Sequence, residues 1–391
     1  MVRLISSSRK TLGASALAAL GLLAASAGAG AAPPQLQHAR LSQRGRELIV
    51  SVRTSAPVPL AQLEPHPDPR QARSRYLCFE LGASASAPPL RFCLGGRRAH
   101  RRLGIERVGP DGRPGEAGWT RATVKRPQPQ KLVMAVVPGD VGLAPRRYRW
   151  RIVRSSGCEV RDRCAESLPA TGTSAFRLRP VRAVGCTGGS AGLVTSGPRQ
   201  RRVVALTFDD GPSDYTDDFL AVLREKGVRG TFFEVGQEMP GREAVMRQIL
   251  AEGSELGDHT MNHVEFPGFE QIAGAAARIR AYTHFQPCLF RPPGGAVDAG
   301  VIATAGSLGM RTINWDVDPR DWSLPGTEAI YSDIVSHAQA GSIILMHDGG
   351  GPRSETLAAL PRVIDTLRAR GFGFATVSEL LGERIVYRPY G

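Results

Sequence analysis

Three sets of side chains in this 391-residue chain have the types and spacing for chemistry. The run Thr207-Phe208-Asp209-Asp210-Gly211-Pro212 closes an apolar stretch, Val203 to Phe208, with two adjacent carboxylates and a turn. Neighbouring side chains on a strand point to opposite faces, so one acid is free to hold a cation while the other meets a substrate. His259 and His263 stand four residues apart, a spacing that on a helical turn puts both imidazoles on one face. With one carboxylate they make a two-His-one-Asp set, which suits a hydrolytic Zn2+ and also an Fe2+ oxygenase. Arg291, the Asp318 and Asp321 pair, and His347 each follow a further apolar run.

The elements that position these residues are legible from Arg201 onward. Strand-like runs (203–208, 230–233, 289–290, 312–315, 342–346, 373–377) alternate with helical patterns near 214–226, 242–252, 269–284, 298–308, 327–340 and 354–370. Such alternation implies parallel strands with crossover helices, and periodicity alone leaves a doubly wound sheet and a (β/α) barrel both open. Polar residues at the C-terminal ends of several strands favour the barrel. No G-x-G-x-x-G opens a helix, which counts against a dinucleotide fold.

The first half differs. Residues 1–32 carry Arg3, Arg9 and Lys10, an uncharged apolar run from Leu12 to Leu23, and small residues at Ala27-Gly28-Ala29 or Ala29-Gly30-Ala31 for cleavage, the pattern of a secretory signal peptide. No later run reaches the roughly 18 apolar residues of a membrane span. Residues 33–182 read as an all-β, sandwich-like domain of about seven short alternating strands. Residues 183–200, with Gly188, Gly189, Ser190 and Gly192, read as a linker to a second domain over 201–391. Six cysteines in an exported chain predict three disulfides, Cys78 with Cys93, Cys158 with Cys164, and Cys186 with Cys288. The net charge of +14 is uneven: 33–200 holds 29 Lys/Arg against 11 Asp/Glu, whereas 201–391 holds 18 against 25. The excess suggests attraction to an anionic cell-wall polymer. Nucleic acid is the poorer candidate and is not expected as a partner, because pairs such as Arg97-Arg98 are not interleaved with aromatics as a stacking platform would be.

Over about Arg201 to Leu381 the chain resembles the polysaccharide deacetylases, built on the NodB homology domain (carbohydrate esterase family 4). Five ordered motifs carry the resemblance: Thr207 to Gly211, His259 to His263, Arg291-Pro292-Pro293-Gly294-Gly295, Asp318-Pro319-Arg320-Asp321-Trp322, and Leu345-Met346-His347. The resemblance implies a distorted (β/α) barrel and metal-dependent removal of acetyl groups from glycans. It places the divalent metal, Zn2+ first with Co2+, Ni2+ or Mn2+ as substitutes, on Asp210, His259 and His263. Asp209 becomes the general base, oriented and kept ionised by Arg291. His347 becomes the acid for the leaving nitrogen, with Asp321 on its other ring N–H. Pro293 and Gly295 are assigned to the substrate, and Trp322 and Leu345 to the slot for the acetyl methyl. Many family members carry an aromatic residue where Gly294 stands, so the wall beside the sugar is expected to be more open.

The residues therefore predict an exported deacetylase of N-acetylhexosamine polymers, peptidoglycan ahead of chitin-like chains. An acetylxylan-type O-acetyl esterase is the alternative of the same class, and a catalytically silent glycan-binding protein the alternative of another. Asp209, Asp210 and His347 are all retained, which counts against the silent reading.

Overall fold

A computed structural model describes residues 34–60, 63, 75–83, 89–94, 102–108, 114–157, 165–188 and 191–390. The expected signal peptide and the expected Cys158 to Cys164 bridge lie outside the described residues.

Two antiparallel sheets form the first unit. One runs in the order Leu36–Arg44, Glu47–Thr54, Lys131–Val136, Thr123–Gln128. The other runs Ala165–Leu168, Arg147–Ser156, Arg75–Gly82, Leu90–Leu94, Arg102–Val108, Pro114–Arg121, with Ser174–Arg177 also on Arg147–Ser156. Alternation along the strands supplies a shared core: Leu48, Val50, Val52, Leu132 and Met134 from one sheet meet Leu77, Phe79, Phe92, Trp150 and Ile152 from the other. The sandwich-like expectation holds, with eleven described strands rather than about seven. The extra ones include Arg102–Val108 and Pro114–Arg121, whose Arg, Gly and Pro content hides them from a hydrophobic pattern. Cys78 sits directly opposite Cys93 and is bonded to it, as the hairpin reading requires.

The second unit is a curled parallel sheet in the order Leu193–Val194, Arg311–Ile313, Leu289–Phe290, Glu255–Asp258, Thr231–Glu234, Val203–Gly211, Ile343–His347, with Gly373–Phe374 also on Val203–Gly211. The chain beyond Ile313 returns to the far edge, where Val317 bridges Ile344 and accepts the Leu345 N–H at 2.9 Å. The sheet thus wraps on itself as a distorted barrel with crossover helices outside. Strands buried on both faces need apolar residues on both. Val204, Leu206 and Phe208 pack outward against Phe219, Leu223, Ile249 and Ile364 of the helices. Ala205, Phe233, Leu289, Ile313 and Ile343 form the opposite, interior layer.

Residues 183–188 and 191–200, within the segment expected as a linker, belong to this unit instead. Val181–Thr187 pairs antiparallel with Arg384–Pro389, and Leu193–Val194 adds an edge strand to the barrel sheet. Strand pairing uses backbone groups, which a Gly/Ser/Thr-rich segment offers as well as any other. The expected Cys186 to Cys288 bond ties this segment down. Among the described residues no helix is long and apolar enough to cross a membrane.

Glu255 is fully buried at the start of its strand, where the Ser378 hydroxyl and N–H donate to its two oxygens at 2.5 and 3.1 Å. Burial pushes its pKa up to about 7, against the lowering effect of Ser378. The folded state therefore binds this proton more tightly than the unfolded chain does. The contribution is full below about pH 4.5 and is lost as pH rises through 7, a change of about 3 kcal/mol. Urea unfolding of wild type and Glu255→Gln from pH 5 to 8 is expected to show wild type losing about that much relative to the variant. Parallel pH profiles would contradict the burial account.

Candidate active site

Side chains two apart on a strand share a face, and this rule extends the barrel's interior layer into a polar floor. Ala205, Thr207 and Asp209 form one inward row, Glu255, Gly257 and His259 a second, Leu289 and Arg291 a third, and Ile343, Leu345 and His347 a fourth. The apolar members pack the lower barrel and the polar ones collect at its C-terminal mouth. Gly257 is required there, because a Cβ would stand 2.4 Å from the Phe233 ring. Phe233 in turn lies under Arg291, whose guanidinium carbon is 4.1 Å from the ring centroid.

Arg291 is fully buried and donates to Asp209 Oδ1 at 2.6 Å and Thr207 Oγ1 at 2.8 Å. Burial lowers its pKa and the Asp209 charge opposes that. Because Arg291 takes Oδ1, Asp209 is left with Oδ2 toward the imidazoles, 3.8 Å from His259 Nε2. Asp210 follows in a left-handed conformation, φ 69°, which swings its carboxylate out of the inward row. Its Oδ1 is 3.4 Å from His259 Nε2 and 3.0 Å from His263 Nε2. Burial would raise the Asp210 pKa, but contacts with His259 and His263 prevail and hold it well below the usual carboxylate range. The His263 pKa is raised, chiefly by its bond to Asp210.

The histidine pair does not lie on a helical turn. Residues 259–263 form a loop with positive φ at Thr260 (69°) and His263 (56°), and this loop brings the ring centroids to 5.1 Å. Polar side chains and backbone bonds fix it, including Asp258 Oδ1 on the Thr260 N–H at 2.9 Å.

His347 Nδ1 donates to Asp321 Oδ1 at 2.7 Å, while Asp321 Oδ2 accepts from the His347 N–H at 2.9 Å and Thr356 Oγ1 at 2.8 Å. Burial alone would disfavour the imidazolium, yet Asp321, with Asp209 and Asp210 adding, leaves the His347 pKa raised. Nε2 stays free of this pairing. Of the expected substrate residues, Pro293 and Leu345 are buried, and Gly295 stands at φ 69° with its carbonyl accepting from Asn314 Nδ2 at 3.1 Å. Trp322 is 49% exposed beside Arg320, one residue after the buried Asp321.

Several neighbours escaped sequence reasoning. Asp348 and Glu234 are fully buried, and both would crowd a Cβ at Gly211. Burial pushes Asp348 up to about 7, while Thr216 Oγ1 donates to it at 2.5 Å. Glu234 is raised well above the carboxylate range by burial first, then by Asp348 and Asp209. Gly349 and Gly350 press against Asp210, where a Cβ would fall 1.9 Å from its carbonyl oxygen and 2.4 Å from Oδ2. The run Asp348-Gly349-Gly350-Gly351 directly after His347 was the available signal. A cavity of about 480 Å3 opens from Asp210 and His263 toward Tyr215, Gln237 and Arg242.

The residues present fit a divalent cation. Ligand atoms of Asp210, His259 and His263 lie within 4.8 Å of one another, and buried Asp210 Oδ1 has no hydrogen-bond partner. His259 Nδ1 sits 2.7 Å from the Arg291 carbonyl oxygen and must donate to it. That bond fixes the tautomer that turns a lone pair on Nε2 toward Asp210. His263→Ala is expected to lower metal content at limiting metal by at least tenfold, read by mass spectrometry. Unchanged content would remove His263 from the ligand set.

Fold and site together define a (β/α)-barrel protein whose C-terminal mouth carries a carboxylate on arginine, a histidine on aspartate and a set of cation ligands. The sequence matches the polysaccharide deacetylase family over residues 196–313. A peptidoglycan-N-acetylglucosamine deacetylase of Bacillus cereus is 40% identical over 192 residues, 47% of this chain and 90% of that protein. A chitooligosaccharide deacetylase of a Bradyrhizobium species is 35% identical over 198 residues, 46% of this chain and 90% of that protein. Among solved structures, the family 4 carbohydrate esterase from Streptomyces lividans in complex with acetate is 33% identical with a TM-score of 0.44, covering 47% of this chain and 97% of that one. The chain belongs to the polysaccharide deacetylase family.

Proposed function

We propose that this protein is an exported, metal-dependent deacetylase of N-acetylhexosamine polymers, with peptidoglycan preferred over chitin-like glycans. One observation carries the reading: the Asp210, His259 and His263 cluster lies beside a base held by arginine and an acid held by aspartate. Asp210, His259 and His263 would hold a divalent cation, which would supply Lewis acidity to the acetyl carbonyl and to a water. Asp209, held at Oδ1 by Arg291, takes the proton of the attacking water at Oδ2. His347 gives the proton from Nε2 to the departing nitrogen, and Asp321 keeps the ring oriented and favours its protonated form. An amide needs this last step more than an ester does, because an unprotonated amide nitrogen is a very poor leaving group.

The 40% identical peptidoglycan deacetylase and the basic first half of the chain support peptidoglycan as substrate. Electrostatic adsorption to anionic wall material through 33–182 accompanies that reading and should weaken with salt. The test is acetate release from peptidoglycan, N-acetylglucosamine oligomers and acetylxylan side by side, with chelator and then with Zn2+, Co2+, Ni2+ or Mn2+ restored. Release from the N-acetylated glycans that chelator abolishes and metal restores is the expected outcome. Release from acetylxylan alone would convert the reading to an O-acetyl esterase. No release with binding retained would make the protein a lectin.

A further inference from the structure

Among the described residues seven large apolar side chains stand exposed, and five of them closely follow site residues. Val264, Phe266 and Phe269 come after His263, and Trp322 and Leu324 after Asp321. Single exposed apolar residues are ordinary, but five of them in the two segments that also carry His263 and Asp321 mark a contact surface. The two groups stand on opposite sides of the mouth. The first leaves the end of Glu255–Asp258, and the second follows Val317, with the strands Leu289–Phe290, Arg311–Ile313 and Leu193–Val194 between them on one side and Thr231–Glu234, Val203–Gly211 and Ile343–His347 on the other.

The His263 side is built to present its rings. The Met261 N–H donates to the Gln271 carbonyl at 2.9 Å and the Asn262 N–H to Gln271 Oε1 at 3.0 Å, while Pro267 is buried. Glu265 Oε1 lies 2.9 Å from where a Cβ on Gly294 would stand, so the loop also leans on the Pro293–Gly295 turn. Between these anchors Phe266 is 58% exposed and held at φ 48°, a backbone conformation unfavourable for a bulky residue. Phe269, at the first position of the helix Phe269–Thr283, is 51% exposed. Strain that projects an aromatic ring into water beside a catalytic mouth is of the kind retained for ligand contact.

We propose that Phe266 and Phe269 form a stacking platform for a hexosamine ring of the glycan on the His263 side of the cleft. A pyranose offers an apolar C–H face and a polar edge, matching an exposed aromatic face whose surroundings stay wet. The floor of Asp209, Asp210, His259 and His347 offers no such surface. The platform rests on the reading that the substrate is a glycan, and it holds the chain while the acetyl group reacts. It affects long substrates and leaves small ones alone.

The test uses the full chain, wild type and Phe266→Gly/Phe269→Ala, glycine being chosen because it accepts the left-handed backbone without a ring. Calorimetric titration with a β-1,4 N-acetylglucosamine pentamer gives binding, and acetate release from the pentamer and from a small aryl acetate gives turnover. The variant is expected to bind the pentamer about tenfold more weakly and lose about tenfold in kcat/KM on it, with the aryl acetate unaffected. Phe266→Trp should bind as wild type does. An unchanged pentamer Kd overturns the platform, as does an equal loss on the aryl acetate. So does a wild-type protein that fails to bind the pentamer. Binding without acetate release defeats the deacetylase reading instead, and the comparison of Kd values still decides the platform.

Discussion

Asp209→Asn is expected to fold, to load metal as wild type does and to lose acetate release by roughly three orders of magnitude, within the range a positioned general base contributes. Asn keeps the size of the side chain and an oxygen that still accepts from Arg291, which donates to Oδ1 at 2.6 Å in the native protein. What it removes is the basic second oxygen, the one turned toward His259 at 3.8 Å. Metal content per chain and kcat at saturating metal separate the two roles of the adjacent acids. If Asp210 is the ligand and Asp209 the base, metal stays and turnover goes. Substantial turnover at full metal loading would move the base role elsewhere, and loss of metal would make Asp209 a ligand. The division depends on one backbone feature, the left-handed Asp210 that turns its carboxylate away from the row of Thr207 and Asp209.

The parts of this site legible in the sequence were those whose residue types are costly to place without a reason. Two acids after a buried strand, two histidines four apart and an arginine ahead of two prolines announced themselves because burial or crowding of charge needs compensation. The strand Glu255–Asp258, which delivers His259, did not. It holds one aliphatic residue, Leu256, and its two buried acids argue for surface on any hydrophobic scale. Ser378, distant in sequence, holds both oxygens of Glu255, while the Thr260 N–H holds one oxygen of Asp258 and leaves the other without a partner. The same holds for Thr207 and Thr356. Each hydroxyl is one hydrogen bond from a catalytic candidate, but a threonine in an apolar run reads as β-branched filler. The histidine spacing was read correctly as a pair and wrongly as helical, since a four-residue step says nothing of the left-handed backbone at Thr260 and His263. The supposed linker failed for a related reason. Composition reports side-chain content, whereas edge pairing is made by main-chain groups.

Arg291→Met carries the largest expected effect on stability. Arg291 has no exposed surface and its side chain holds six contacts: Asp209 at 2.6 Å, Thr207 at 2.8 Å, the carbonyls of Ile313 and Asn314 at 3.3 and 3.5 Å, and the Phe233 and Trp315 rings at 4.1 and 5.5 Å. Removing one partner of a buried ion pair strands the other charge, at a cost of about 3 to 5 kcal/mol. Methionine fills much of the volume, so the loss measures charge and hydrogen bonding more than cavity. Arg291→Lys should fall between, because an ammonium cannot fork to Asp209 and Thr207 while also stacking on Phe233. The decisive variant is the double one. With Asp209→Asn already in place no carboxylate is left to strand, so adding Arg291→Met should cost less than it does alone, giving a coupling of about 1 to 3 kcal/mol in a denaturant-unfolding cycle. Additive losses would mean that Arg291 braces the barrel through Thr207 and the carbonyls, with no ion-pair contribution. Coupling would instead show that the stability of the barrel's centre and the placement of the proposed base rest on the same 2.6 Å contact.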